Sequence, residues 1–161
     1  MENIKFVRKL PQPKEYNILR ENVGWGEMPI SIVKKSFKKT LYGISVYNNN
    51  EIIGSGRIVG DNGLCFYIQD IIVLKAFQKK GIGTKIVELL MEYIEKNGVC
   101  NSYVALLSAK GLEKFYSKFG FIERPNEYFG AGMTQLLGRK AEDSLRFGGL
   151  GGDNVLSFSF G

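Results

Sequence analysis

Gln78-Lys79-Lys80-Gly81-Ile82-Gly83-Thr84 joins two segments of different periodicity. The apolar run at 68–74 is typical of a buried strand, and residues 85–96 carry apolar side chains at helical spacing. The stretch is therefore a strand–turn–helix junction with two glycines in the turn. Glycine allows positive φ and close approach of a ligand, and the first turn of a helix presents N–H groups and a partial positive charge. The sequence predicts an anion site that suits a phosphate.

The sequence of this turn does not match either of two well-known phosphate-binding loops. The P-loop requires Gly-x-x-x-x-Gly-Lys-Ser/Thr, which does not occur in the chain, and the dinucleotide fingerprint requires a third glycine where the chain has Ile86. The remaining pattern, Gln-x-x-Gly-x-Gly, resembles the pyrophosphate loop of the GNAT superfamily of acyl-CoA-dependent N-acetyltransferases. In that family the pattern is Gln/Arg-x-x-Gly-x-Gly/Ala.

Two further segments carry the resemblance. Residues 112–121 read Leu-Glu-Lys-Phe-Tyr-Ser-Lys-Phe-Gly-Phe, which resembles the family's Leu/Phe-Tyr-x-Lys-x-Gly-Phe. Residues 67–73 are similar to the Ile-Glu-Asp-Val-Val-Val stretch of some small-amine and amino-sugar acetyltransferases. Gln69 stands where that stretch has an acidic residue, a departure that weakens an amino-sugar assignment and leaves the reaction class unchanged.

The composition indicates one soluble domain. A chain of 161 residues with 44% apolar and 24% charged residues is long enough for a single core. No apolar run reaches the length of a membrane span, and the first residues lack the apolar stretch of a secretion signal. Two cysteines, Cys65 and Cys100, do not indicate a disulfide framework. We therefore expect a cytoplasmic protein with reduced thiols.

The chain contains no histidine. Ser-His and Cys-His catalytic pairs are thereby excluded, and a metal site is not predicted. A general base must be a carboxylate, Lys, Tyr or water. The net charge of +6 is spread along the chain, which favours an anionic cofactor over nucleic acid, and no membrane partner is expected.

The fold class follows from the order of predicted elements together with the resemblance. The family implies an α/β, or mixed α+β, GNAT-like fold over residues 1–137. Its central, mostly antiparallel sheet has about six to seven strands and is flanked by about four helices. Residues 138–161 form a Gly-rich C-terminal extension, either an appended non-native segment or a strand that needs a partner. The predicted strands span 4–10, 41–47, 51–59, 64–74, 103–107, a segment from 121, and 133–137; the predicted helices span 14–23, 29–38, 85–96 and 110–119.

The resemblance implies acetyl-CoA as co-substrate and no metal. The strand before the glycine turn separates from its neighbour in this family, so that its backbone pairs with pantetheine. A backbone N–H near Ile72 or Val73 then polarises the carbonyl, and the turn holds the pyrophosphate. The cofactor-binding residues implied are Ile71, Ile72, Val73, Gln78, Lys79, Lys80, Gly81, Ile82, Gly83, Thr84 and, less directly, Ser108.

Two residues are the predicted catalytic groups. Tyr116 stands where the resemblance puts the general acid, and a phenol with a pKa of about 10 is protonated at neutral pH; the alternative is a core aromatic. Asp70 is the candidate for the amine side, as base, as relay or as the partner of the ammonium; the alternative is a carboxylate that satisfies backbone groups at a bulge. Tyr67 is a second candidate on the same strand. Cys65 is expected to be a buried structural thiol, so we predict direct transfer in a ternary complex.

The sequence therefore predicts an N-acetyltransferase that moves an acetyl group from acetyl-CoA to a primary amine of a small molecule. A protein or peptide N-acetyltransferase and a non-catalytic CoA-binding regulatory module are the alternatives. Assembly as a homodimer is left open.

Overall fold

Residues 3–138 are described in the computed structural model of the protein. Over these residues one sheet contains five strands in chain order. They are β1 (Ile4–Val7), β2 (Tyr42–Asn48), β3 (Glu51–Gly60), β4 (Cys65–Val73) and β5 (Tyr103–Ala105). The helices of the same region are α1 (Pro13–Asn22), α2 (Ile30–Phe37), α3 (Ile82–Asn97) and α4 (Glu113–Ser117), with a 3₁₀ turn at Lys75–Phe77.

The first four strands pair antiparallel, and β4 pairs parallel with β5. Asn49 and Asn50 take φ values of 48° and 69° in the tight turn between β2 and β3, which this residue type tolerates better than most. Helix α3 forms the crossover that a parallel β4–β5 pair requires. The predicted mixed sheet is confirmed, whereas the predicted six to seven strands are too many for the described region.

Helix α3 packs on one face of the sheet and forms the larger core. Ile86 and Leu90 are fully buried there against strand residues that include Ile58 and Phe66. Gly56 permits this close packing, because a Cβ atom on it would lie 2.6 Å from Ile86 Cγ2. The opposite face carries a smaller cluster from α1 and the sheet, composed of Leu19, Val23, Ile52 and Ile72.

A β-bulge interrupts β4. Ser55 pairs with Ile72 and Arg57 pairs with Gln69, so that two residues of β4, Asp70 and Ile71, stand opposite one residue of β3. The bulge shifts the alternation of faces by one residue. Ile68 therefore belongs to the α3 core, whereas Ile72 belongs to the α1 cluster.

The predicted strands at 121 and 133–137 are wrong. Local hydrogen bonds replace a ladder there: Asn126 N–H donates to the Phe129 carbonyl, and Asn126 Oδ1 accepts from the N–H groups of Tyr128 and Phe129. Pro125 also lacks a ladder donor. Met133 is 94% exposed, so no apolar face holds this segment on the sheet.

Three boundaries differ from expectation. Helix α4 is half the predicted length because Gly111 and Gly120, with φ values of 88° and 84°, bracket it. Helix α3 starts at Ile82, three residues earlier than predicted, and β5 ends at Ala105. The proposed extension at 138–161 lies, apart from Gly138, outside the described residues.

Two further observations concern surface and solvent. Cys65 and Cys100 are both exposed, so the expected burial of Cys65 is wrong. Within residues 3–138, no helix combines the length and the apolarity that a membrane crossing needs.

Candidate active site

Strands β4 and β5 separate at the centre of the molecule. They pair over only three residues, from Cys65 opposite Tyr103 to Tyr67 opposite Ala105, and β4 continues to Val73 without this neighbour. Beyond the last pair, the Leu107 backbone N–H lies near the Tyr67 phenol oxygen. Burial raises the pKa of Tyr67, and this N–H opposes the rise. The part of β4 beyond Tyr67 therefore lies at an opening between the two strands.

The glycine turn lies at that opening. Gly81 is the N-cap of α3 with φ 78°, and Lys79 also has a positive φ, 60°. The Gln78 side-chain Nε2 donates to the Val73 carbonyl at 2.9 Å. The turn is therefore anchored to the end of β4. By helix geometry, the first N–H groups of α3 have no acceptor within the helix.

Gly83 leaves space for a ligand. A Cβ atom on it would meet only Phe115 Cζ at 3.7 Å and Val73 Cγ2 at 3.9 Å, which are ordinary contacts. A Cβ atom on Gly81 would have no neighbour within 4 Å. Because neither glycine is required by packing inside the protein, the turn fits an anion that approaches the backbone.

Three lysines surround the turn. Lys79, Lys80 and Lys85 are exposed. Lys80 Nζ lies 5.3 Å from the centre of the Phe77 ring, and Lys85 Nζ lies 3.1 Å from Glu88 Oε2. Their charges add to the partial positive charge of the helix end, although salt screens exposed charges.

A cavity of roughly 660 Å³ adjoins β5 and α4. Its volume lies within the range of small-ligand sites. Tyr116 of α4 lines it, together with Tyr67, Leu107 and Ser108. Ser108 is half-buried, and its Oγ donates to the Ala109 carbonyl at 2.9 Å.

The Tyr116 side chain is nearly buried among aromatic rings. The residue is 4% exposed, and its ring lies edge-on to Phe115 and Phe121 at centroid distances of 4.9 and 6.2 Å. No group between residues 3 and 138 forms a hydrogen bond with its hydroxyl. Burial raises the pKa of Tyr116 to about 12. The phenol is therefore a protonated donor beside the cavity.

Asp70 lies elsewhere, on the α1 side of the sheet. It is 3% exposed, its Oδ2 is 2.6 Å from Arg57 Nε, and the Tyr16 hydroxyl donates to the same oxygen at 2.8 Å. Asp70 is not among the residues that line the large cavity. The structure thus brings together the turn, the end of β4 and α4, whereas the lining of the cavity contains neither Asp70 nor any residue of 71–73 or 78–84.

Sequence reasoning missed Tyr16 and Arg57. Tyr16 is 54 residues from Asp70 in the chain, and its position matched an ordinary apolar helix face. Arg57 offered a signal, since an arginine in a strand flanked by apolar and small residues needs a buried acid.

Comparison with known proteins identifies the family. The model of the family described as acetyltransferase (GNAT) domain matches residues 27–136, well over half of the chain. The chain belongs to the GNAT acetyltransferase family. The family uses acetyl-CoA as acyl donor, and the predicted membership of the family is confirmed.

Individual relatives agree with this assignment. A Pyropia yezoensis protein named uncharacterized N-acetyltransferase ycf52 is 28% identical over 116 residues, which cover 70% of this chain. The chain spans 66% of the length of that relative. A crystal structure from meticillin-resistant Staphylococcus aureus is described as a protein of unknown function and probable acetyltransferase. It is 32% identical, with TM-score 0.74, and the match covers 83% of this GNAT chain and 99% of that one.

A more distant structure shares the fold. It is an aminoglycoside N-acetyltransferase in complex with CoA, 14% identical, with TM-score 0.61, and the match covers 83% of this chain and 97% of that one. In the described part of this GNAT chain, no group of three or more acidic, Cys or His residues is arranged to hold a metal ion.

Proposed function

We propose that this chain transfers an acetyl group from acetyl-CoA to the primary amine of a small molecule, directly and in a ternary complex. The observation that carries the proposal is the position of Tyr116: the residue is 4% exposed, its hydroxyl has no hydrogen-bond partner among residues 3–138, and it lines a cavity beside the separated ends of β4 and β5. The hydroxyl oxygen itself is not fully buried, so it can donate to a ligand that occupies the cavity.

The described residues supply distinct binding functions. The start of α3 and the turn at 78–84 would hold the pyrophosphate through backbone N–H groups. The end of β4, residues 71–73, would hold the pantetheine arm, and an N–H near Ile72 or Val73 would polarise the thioester carbonyl. Ser108 lines the cavity and is a weaker candidate for a cofactor contact.

Tyr116 would act as the general acid. Acyl transfer releases a thiolate, which leaves more readily when a donor protonates it. With a pKa of about 12, the phenol keeps its proton in the ground state and gives it up only as negative charge develops on sulfur.

The amine must lose a proton before it can attack. Asp70 was the candidate for this step, but its carboxylate is held by Arg57 and Tyr16 and does not line the large cavity. We therefore propose that water accepts the proton and that Asp70 has a positioning role.

Direct transfer is favoured over a covalent acyl-enzyme. The chain has no histidine to activate a nucleophile. Cys65 begins β4, six residues before Ile71, which corresponds to roughly 20 Å of extended chain. A thiol at that distance cannot accept an acyl group held at the other end of the strand.

A small-molecule acceptor is favoured by the charge of the cavity lining. Glu113 and Glu123 line it beside a single arginine, Arg124, and the excess of negative charge would attract an ammonium group. A peptide acceptor and a non-catalytic CoA-binding module remain the alternatives, and a cytoplasmic location remains a prediction.

The test is an acetylation assay with a panel of small amines, amino sugars, and peptides with a free N-terminus or lysine. Release of free thiol from acetyl-CoA is measured for the wild type and for Tyr116→Phe. We expect turnover with small amines and a loss of roughly 10²–10⁴-fold in the variant. Turnover only with peptides would support the first alternative, and CoA binding without turnover on any amine would support the second.

A further inference from the structure

Asp70 has a backbone conformation that is unusual for a strand residue. Its φ is 55°, in the left-handed region, at the bulge where Asp70 and Ile71 stand opposite Gly56. Only Gly adopts this region freely, and Asp and Asn adopt it more readily than other residues. A conformation of this kind persists only when surrounding contacts fix it.

Two elements, β3 and α1, supply those contacts. Arg57 of β3 forms the ion pair with Asp70 and also donates from Nη1 to Thr40 Oγ1 at 3.2 Å. Tyr16 of α1 donates to the same carboxylate oxygen. The Arg57 side chain is 14% exposed and that of Asp70 is 5% exposed, so solvent screens the pair little.

The bulge determines the direction of the strand that follows it. Ile71 and Val73 pack towards the α3 core, whereas Ile72 packs towards α1. Without the extra residue, each of these side chains would point to the opposite face of the sheet. The N–H and C=O groups of residues 71–73 would then also point to the opposite edges of the strand. Those backbone groups are the ones that the proposed function assigns to the pantetheine arm.

We propose that Arg57 and Tyr16 are positioning residues for cofactor binding. By holding the Asp70 carboxylate, they fix the bulge and thereby the orientation of residues 71–73 at the opening between β4 and β5. This inference rests on the proposed function, because it needs CoA to bind at that opening.

The test measures CoA affinity by calorimetry, which requires no acceptor amine. Arg57→Met removes the charge at similar side-chain length and should weaken CoA binding by roughly tenfold to a hundredfold, because binding groups that are misplaced lose effectiveness steeply. Tyr16→Phe keeps the ring that packs edge-on against Phe37 and should give a smaller loss of the same kind.

The decisive variant is Arg57→Met combined with Asp70→Gly. Glycine adopts positive φ without strain, so the bulge no longer needs the carboxylate or its partners. We expect CoA affinity within roughly threefold of wild type in this double variant, and therefore rescue relative to Arg57→Met. The same variant remains informative if Arg57→Met alone does not fold.

The control for general destabilisation is Ile94→Ala, which removes a buried side chain at the far end of α3. It should lower the melting temperature with unchanged CoA affinity.

Two results would contradict the inference. Wild-type affinity in folded Arg57→Met would mean that the ion pair only adds stability. Equal loss in the double variant would mean that the bulge is not what the network supports. Absence of CoA binding by the wild type would instead refute the proposed function, and this inference with it.

Discussion

Phe115 Cζ lies 3.7 Å from the position that a Cβ atom on Gly83 would occupy. This contact distance brings α4 against the first turn of α3. The helix that carries Tyr116 therefore borders the turn proposed to hold the pyrophosphate. The size and charge of a side chain introduced at Gly83 therefore decide whether it affects ligand binding, the contact with the Phe115 ring or the stability of α3.

Gly83→Asp should abolish CoA binding and leave the fold intact. An aspartate in the first turn of a helix stabilises it by roughly 0.3–1 kcal/mol, so loss of binding could not be attributed to unfolding. The negative charge would repel the pyrophosphate. Calorimetry with CoA and a thermal melt on the same sample measure both effects, and Gly83→Ala is the matched control with near-normal affinity. Unchanged CoA affinity in Gly83→Asp would refute the phosphate-binding role of the turn.

Gly81→Ala and Gly83→Ala should change stability in opposite directions. Gly81 has φ 78°, where a Cβ atom costs roughly 1–2 kcal/mol even though the space around it is empty. Gly83 lies in the helix with room for a methyl group, where alanine gains up to about 1 kcal/mol over glycine. Denaturant unfolding of the two variants measures the difference, and equal effects would contradict the described conformation of the turn.

The rate of acetyl transfer should show no loss from Tyr116 ionisation up to about pH 10, since burial raises the pKa of this phenol to about 12. An ordinary phenol, with a pKa of about 10, would be half ionised at pH 10, and the enzyme would have lost about half of its activity there. The measurement is a pH–rate profile in the wild type, with acetyl-CoA hydrolysis as blank. A fall in rate centred at or below about pH 10 that is absent from Tyr116→Phe would show that the phenol is more acidic than its burial implies.

Stability should decline at alkaline pH for the same physical reason. The pKa values of Tyr16 and Tyr116 are both raised to about 12, so their contribution is complete below about pH 10 and is lost as pH rises through 12. Each phenol corresponds to roughly 2–3 kcal/mol at the upper end of that range. Urea unfolding at pH 8 and pH 11 measures the decline, and Tyr116→Phe should reduce it. An identical decline in the variant would mean that Tyr116 is not the group responsible.

Gly56→Ala should destabilise the protein by roughly 1–3 kcal/mol through overpacking, because its Cβ would lie 2.6 Å from Ile86 Cγ2. Ile86→Ala should also destabilise the protein, by roughly 2–5 kcal/mol, because it leaves a cavity in the core. The double variant should lose less than the sum of the two, since each change relieves the other. Strict additivity in this cycle would contradict direct contact between the two positions.

The parts of the site that could be predicted are local in the sequence. The glycine turn and Tyr116 each lie within a short sequence motif, and the residue types of that motif are enough to suggest a chemical role. The separation of β4 from β5 was also expected, but only from the family resemblance. The residues around Asp70 could not be found in this way, because its partners come from β3 and α1.

From the sequence, the bulge was expected only as part of the alternative role of Asp70, because the pattern of apolar residues in β4 does not reveal it. Phe66, Ile68, Asp70 and Ile72 are all buried, so the alternation of buried and exposed positions in β4 continues through the bulge. What changes at the bulge is the helix that covers these side chains, from α3 at Ile68 to α1 at Ile72.

Towards the end of the described chain, the sequence pattern predicted strands that the structure does not contain. Ile122 and Met133 matched a strand pattern, but they are 68% and 94% exposed and have no sheet partner in this region.

The bulge also affects how the protein opens. Because β4 passes from the α3 core at Ile68 to the α1 cluster at Ile72, neither layer can detach without disturbing the same strand. Hydrogen exchange at the Ile68 and Ile72 amides should therefore slow to a common rate, that of global unfolding, rather than reporting two independent units. Because β4 contributes to both the α3 core and the α1 cluster, we expect the two to unfold as one cooperative unit.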